Sequence, residues 1–270
     1  MGFPLEIMDH LGRKIVLAAA PQRIVSLCPS QTETLVAMGL GRRLVGRTRF
    51  CIHPKQELQA VRNVGGTKSV NLDRIRALRP DLIIGEKEEN TAATVAALER
   101  EWPVFVTDVR DIASAARMIA DLGTLTGLAE SASAIGAAVA DAVAGIQPLP
   151  APLTCVYMIW KNPWMAAGSD TFIHSILERC GWINVAATLP GRYPVLDLDF
   201  LAQNKPRAIL LSTEPFPFKD SHILEIQAVV PNAQVQIVEG EMFSWYGVRM
   251  IQMQNYLNGL LHNASQSLSL

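Results

Sequence analysis

The stretch that most constrains this chain is Gly127 to Ile146, GLAESASAIGAAVADAVAGI, nearly all small apolar residues with only Glu130 and Asp141 charged. Alanine loses no side-chain freedom in a helix, so about nineteen such residues predict one helix of roughly 28 Å. Its bulkier side chains, Leu128, Ile135, Val139, Val143 and Ile146, recur at intervals of 7, 4, 4 and 3, which lays an apolar stripe along one face. Gln147-Pro148-Leu149-Pro150-Ala151-Pro152 then stops it. Segments of similar length flank it. The stretch reads as a long helix (127–147) joining an N-terminal lobe (1–126) to a C-terminal lobe (148–270).

Both flanks alternate between strand and helix signals. Arg23–Leu27 reads as a buried strand, and Ser30 with Glu33 fits a capping box opening a helix through Met38. Leu44–Thr48 and Val61–Thr67 read as strands. Asn71 caps a helix Leu72–Leu78, Pro80–Gly85 is a strand, Thr91–Arg100 a helix, Val104–Val106 a strand and Ile112–Leu122 a helix. Beyond the prolines come a strand Leu153–Ile159, helices Thr171–Glu178 and Leu198–Gln203, and a strand Ala208–Ser212. A helix His222–Val229, a strand Val235–Val238 and a helix Gly247–Leu261 complete the chain. Such alternation predicts an α/β fold of two small, mostly parallel sheets. An internal echo supports two lobes: Asp73 lies seven residues before Pro80, and Asp199 seven before Pro206, each proline opening a buried strand. An acid in a first helical turn suits the positive end of the dipole, and the matched positions also suit a paired surface role.

Composition excludes several classes. Over 270 residues the formal net charge is -1, which argues against nucleic acid or an anionic membrane as partner. No apolar run approaches the ~20 residues of a membrane span. Ile15–Ala20 is too short for a secretory leader and runs straight into a strand-like segment. The four cysteines, Cys28, Cys51, Cys155 and Cys180, lack finger-type spacing, and their pairing is open. Enzyme templates are absent: no GxGxxG, GxxxxGK[ST], HExxH or GxSxG. Asp170 and His174 sit four apart and read as a surface pair. No two histidines fall at helical ligand spacing, so no metal site and no cofactor is expected.

The aromatics are more telling. They make up only 6% of the chain, yet they gather in post-strand loops: Trp160 with Trp164, Tyr193, Phe216 with Phe218, and Phe243 with Trp245 and Tyr246. In open α/β sheets ligands bind beyond the carboxyl ends of strands, and rings with few polar groups suit a large, flat, partly polar ligand. Ser30 and Gln31 at a helix N-terminus, and Phe50, Thr67-Lys68 and Glu86-Lys87 in loops, are the candidates in the first lobe.

Arg23–Leu35 (RIVSLCPSQTETL) and Asn71–Ile84 (NLDRIRALRPDLII) resemble the class III periplasmic binding proteins of ABC importers. The resemblance runs from about Gln22 to Leu261 and is nearest to the cobalamin-binding members. It implies two α/β lobes bridged by one long helix, a monomer, and capture of a metal chelate in the cleft without chemistry. It also implies delivery to ABC permease subunits. Cobalamin is the first choice; a ferric siderophore or haem, or an intracellular corrinoid- or metal-handling enzyme or chaperone, are the alternatives. The family's pocket tyrosine falls at Phe50 and its two pocket tryptophans at Thr67 and Tyr193. A late acid and arginine near the pocket fall at Glu241 and Arg249. The groups around Trp160, Trp164, Phe216 and Trp245 resemble leaderless relatives labelled cobalamin-binding or helical-backbone metal receptors. The two permease-docking glutamates fall at Asp73 and Asp199. A family cysteine falls at Cys180, its partner missing. Location is periplasmic by this resemblance, with the cytoplasm open because no leader is visible.

Overall fold

A computed structural model describes residues 2–266. The first part runs β1 (Leu5–Met8), β2 (Lys14–Leu17), β3 (Ile24–Ser26), α1 (Pro29–Ala37), β4 (Leu44–Arg47), β5 (Arg62–Asn63), α2 (Leu72–Leu78), β6 (Leu82–Glu86), α3 (Ala92–Glu99) and β7 (Val104–Thr107). Two helices follow, α4 (Ile112–Thr126) and α5 (Ala129–Ala144). The remainder is β8 (Leu153–Trp160), β9 (Met165–Ala166), α6 (Phe172–Arg179), β10 (Trp182–Asn184), α7 (Leu198–Asn204), β11 (Ala208–Ser212), α8 (Asp220–Gln227), β12 (Gln234–Val238), α9 (Glu241–Ser244) and α10 (Met250–Gln266). The chain packs as two compact units. One comprises Met1–Val109, Ala113–Asp141 and Tyr246–Arg249; the other comprises Arg110–Ile112, Ala142–Trp245 and Met250–Leu270.

In the first unit five parallel strands lie in the order β5-β4-β3-β6-β7. In the second, four parallel strands lie in the order β10-β8-β11-β12, with the short β9 antiparallel to β8. The α/β architecture with two mostly parallel sheets is the one the alternation predicts. Both central strands are apolar on both faces, as helices on either side require. Val25, Leu27, Ile83, Val104 and Val106 pack against Ile75 of α2 and Leu98 of α3. In the second unit Val156, Met158, Ile209 and Leu211 pack against Leu201 of α7 and Ile226 of α8.

The echo noticed in the sequence is a structural repeat. Asn71 Oδ1 accepts the Arg74 N–H at 2.9 Å, and Asp197 Oδ1 accepts the Phe200 N–H at 2.8 Å, so each seven-residue helix is capped alike. Each ends in a left-handed residue, Arg79 (φ 46) or Lys205 (φ 44), directly before the proline. Asp73 and Asp199 occupy the same exposed first-turn position.

Several boundaries depart from the reading above. The long helix is shorter, sixteen residues from Ala129 to Ala144 or about 24 Å. Gly127 adopts φ +73, a conformation only glycine holds without strain, and breaks α4 from α5. Of the apolar stripe, Val139 and Ile146 are buried while Leu128, Ile135 and Val143 are half-buried; Ala132 and Ala142 are the other residues of α5 that are buried. The carbonyls freed at the C-terminal end of α5 are claimed by Arg179, whose guanidinium donates to Val143 O at 2.9 Å, Ala144 O at 2.8 Å and Ile146 O at 2.7 Å. Asn258 Nδ2 takes Gly145 O at 3.0 Å. Ser30 does not cap α1: the helix opens two residues earlier, at Pro29, because proline suits a first helical position and leaves Ser30 inside it. Ile15 belongs to an N-terminal hairpin of β1 and β2, turned by Asp9, whose Oδ1 accepts the N–H groups of Leu11 and Arg13 at 2.9 and 2.8 Å.

Replacing Asn71 or Asp197 by alanine should each cost about 1 kcal/mol of unfolding free energy. Because the caps lie in separate units, the double variant should lose the sum within about 0.5 kcal/mol, read by urea titration.

Candidate functional site

In each sheet the chain begins at an inner strand, builds outward in one direction, then returns to build in the other. The reversal falls between β3 and β6 in the first unit and between β8 and β11 in the second. Loops leaving the carboxyl ends of two such strands diverge, which opens a crevice between them.

In the second unit that crevice is aromatic. Trp160 ends β8 and is 40% exposed; its ring meets Phe216, in the loop after β11, edge-on at 5.7 Å. Phe216 packs edge-on against Phe218 at 4.8 Å and His222 at 5.5 Å, and His222 meets Phe218 at 5.4 Å. Trp164 stacks on Phe218 with centroids 6.0 Å apart and planes 4° from parallel. The Lys161 ammonium lies 5.0 Å from the centroid of the Trp164 ring and is paired with Glu225. Trp164 thus already has partners for its ring and serves as a pedestal, whereas Trp160 presents surface. Tyr193, half-buried, sits on a segment strapped to β9: Ala166 N donates to Pro194 O at 3.1 Å and Leu196 N to Trp164 O at 3.0 Å.

Trp245 lies deeper. It is buried, and its indole Nε1 donates to Glu214 Oε1 at 3.0 Å, which also accepts the Ser244 hydroxyl at 2.6 Å. Glu241 opens α9 and is half-buried. Asp170 and His174 do not pair. Asp170 faces Arg110 at 3.3 Å, while His174 turns to Glu178 at 3.5 Å and Asn184 at 3.4 Å.

The crevice of the first unit is polar. Glu86, at the end of β6, is buried; its Oε2 accepts the N–H groups of Glu88 and Glu89 at 2.6 and 3.0 Å, and its Oε1 that of Val109 at 3.4 Å. One carboxylate therefore binds the loops after β6 and β7. Burial pushes its pKa up to about 7, against the pull of those donors. Gln31 is a brace inside α1, not a surface donor: its Nε2 donates to Gly85 O at 3.1 Å and Thr107 Oγ1 at 2.5 Å. Thr67 is buried, and its carbonyl accepts Asn90 Nδ2 at 2.9 Å. Lys87 pairs with Asp108 at 2.8 Å. Phe50, after β4, is 46% exposed with the Arg49 guanidinium 4.8 Å from its ring centroid.

Tyr246–Arg249 belongs to this first unit. Arg249 is buried and forks onto Glu33, Nε to Oε2 at 3.0 Å and Nη2 to Oε1 at 2.8 Å. Val248 N donates to Thr34 Oγ1 at 3.1 Å, and the Tyr246 hydroxyl lies 3.4 Å from Cys28 Sγ. Gly247 is required at φ +82, with its Cα against the Thr34 side chain. Glu241 and Arg249 thus fall in different units. All four cysteines are buried free thiols, and burial holds Cys28 and Cys51 above the usual thiol range.

Two mostly parallel α/β units, each with a strand reversal at which loops diverge, make a fold that offers a crevice beyond the strand ends. Residues 24–233 match the periplasmic binding protein family, and the chain belongs to that family, in its class III. A vitamin B12-binding protein of Pectobacterium carotovorum is 24% identical over 86% of each chain. Among solved structures, the periplasmic vitamin B12-binding protein BtuF of Vibrio cholerae superposes with a TM-score of 0.76 at 21% identity, covering 92% of this chain and 99% of the other. The apo form of the periplasmic heme-binding protein RhuT from Roseiflexus gives 0.79 at 19% identity, over 91% and 98%.

The Glu86 carboxyl, raised above its unfolded value of 4.5, favours the folded state most below about pH 4.5, and that contribution is lost as pH rises through about 7. Glu86→Gln should therefore gain on the wild type between pH 5 and pH 8, by as much as about 3 kcal/mol in urea denaturation.

Proposed function

We propose that this protein is the substrate-binding component of an ABC importer and captures a flat metal chelate, cobalamin first. The single observation that carries the reading is the ring cluster at the β8/β11 reversal, where an indole remains 40% exposed on a scaffold of other rings. Exposed tryptophan surface of this kind gains free energy when a flat apolar face covers it, at about 25 cal/mol per Å². The names carried by its relatives, vitamin B12 binding and heme binding, supply the ligand class. Trp160, Tyr193 and Phe216 are the contact residues of this reading in the second unit, with Glu241 the polar one; Phe50 is the candidate of the first unit taken by itself. Trp164 supports the rings from behind, and Trp245 is held at depth by Glu214. Arg249 acts through its pair with Glu33, fixing α1. The protein works as a monomer on the outer side of the membrane, and the metal arrives within the chelate, no cofactor being needed. No helix among the described residues is long and apolar enough to cross a membrane. The mechanism is capture without turnover: rings exclude water, and a few polar groups set orientation.

Absorption titration with cobalamin, ferric haem and ferric siderophores should give saturable binding to one of them, and Trp160→Ala should weaken it by about tenfold or more. No binding by any, with turnover of a corrinoid, would favour an enzyme that handles the same ligand.

Asp73 and Asp199 are the docking pair of this reading. They hold equivalent exposed positions on α2 and α7, with Arg76 beside Asp73 at 2.6 Å. Reversing both charges should abolish uptake through the cognate permease while leaving chelate affinity unchanged. Uptake that survives the double reversal would refute the docking role.

A further inference from the structure

His222 stands inside the aromatic cluster but has not been assigned a part in it. Its ring packs edge-on against Phe216 and Phe218 at 5.5 and 5.4 Å, and Phe216 in turn meets the exposed Trp160 at 5.7 Å. It is the third residue of α8, and its Nδ1 accepts the Lys219 N–H at 2.9 Å, closing the helix start from within. Lysine has no side-chain acceptor, so the reach-back from position 222 is the side-chain half of this cap.

That bond decides the chemistry of the other nitrogen. A backbone N–H is always the donor, so Nδ1 keeps its lone pair for it, and a neutral imidazole so held carries its proton on Nε2. Nε2 therefore has no lone pair to offer a metal. It is a fixed donor, on a half-buried ring, and it makes no hydrogen bond among the described residues. Phe216 and Phe218, the rings that touch it, carry no polar group, so beside the indole N–H groups of Trp160 and Trp164 it adds a donor whose direction the helix start fixes.

We propose that His222 is a ligand-orienting residue whose Nε2–H donates to an oxygen on the rim of the captured macrocycle, and that it does not coordinate the metal. This rests on the chelate-binding reading above and deepens it. Rings select flatness and cannot fix rotation about their own normal; one donor at the edge of the stack does. The rim oxygen is an amide carbonyl in a corrinoid and a carboxylate in haem, and both accept the same hydrogen bond.

Glutamine and glutamate at the third helical position both reach back to the N–H of the cap, so either substitution preserves α8. They differ in what remains: glutamine keeps an N–H donor, glutamate has only acceptors. With cobalamin and ferric haem as probes, His222→Gln should bind within about threefold of wild type, and His222→Glu should lose about tenfold for an amide-rimmed ligand. The loss should exceed about a hundredfold for a carboxylate-rimmed one, where like charges meet. Melting temperatures should match between the two variants. If both variants bind as the wild type does, His222 is only a helix cap and the proposal fails, while the chelate-binding reading stands. A change in the visible band positions of the bound chelate on either substitution would mean metal ligation and also overturn it. Failure of the wild type to bind either probe overturns the His222 proposal, and the chelate-binding reading falls with it only if the ferric siderophores also fail to bind.

Discussion

The reversal of strand order is the constraint on which the rest depends. A parallel sheet needs a crossover helix for every added strand, and a chain starting at an inner strand must build first to one side and then to the other. At the reversal two neighbouring strands send their loops to opposite faces, so nothing covers the gap between them. Here β3/β6 and β8/β11 are those neighbours, and each pair ends in residues that a closed sheet would not tolerate. Glu86 is a carboxyl buried at a strand end; Trp160 is a large ring left exposed at one. Neither makes sense as packing alone.

The two reversals solve the same problem with opposite chemistry. In the first unit, buried polar groups tie loops together. Glu86 gathers three backbone N–H groups, Asn90 Oδ1 accepts the Glu86 N–H at 2.9 Å, and Gln31 reaches Gly85 and Thr107. Such a network holds its shape because each unmade bond would leave a buried group unsatisfied, at about 1–3 kcal/mol. In the second unit the loops are tied by rings, whose contacts lack that directional penalty and leave faces available. The first arrangement suits a rigid wall, the second a surface that accepts a ligand.

What the sequence disclosed was mostly local. Asn71 as a cap, the Asp–Pro spacing of both repeats, and Ala208–Ser212 as a strand depend on residues within one turn or one strand, and the structure reproduces them. The ring clusters were legible because proline and glycine break the period that a core stripe would need. Long-range partners were not. Glu33 looked like half of a capping box, and its true partner, Arg249, lies 216 positions away. Trp245 shares a motif with exposed-looking aromatics, yet Glu214 draws its indole inward. The hairpin of β1 and β2 went unread because its turn is built by a side chain, Asp9, rather than by an Asn-Gly or Asp-Gly pair. His222 was visible as a helix residue, but its ring contacts depend on a loop folding back over it.

Exposure alone says little, since apolar atoms cover much of any folded surface. Val195 and Leu224 are more exposed than Trp160 and call for no explanation. What sets Trp160 apart is the support beneath it. An indole free to move would lose rotamer freedom on binding and give back part of what burial contributes. Phe216 meets it edge-on, Phe218 meets Phe216, and Trp164 stacks on Phe218 under the Lys161–Glu225 pair. Each ring is held by the next, and the series ends in a core that contains Met158 and Ile209. That ordering cost is met during folding, and the outermost face stays exposed. The charge sits at the foot of the series, where Lys161 covers Trp164; under the proposed reading a charge beside Trp160 would stay hydrated and hold water against the face that a ligand has to cover.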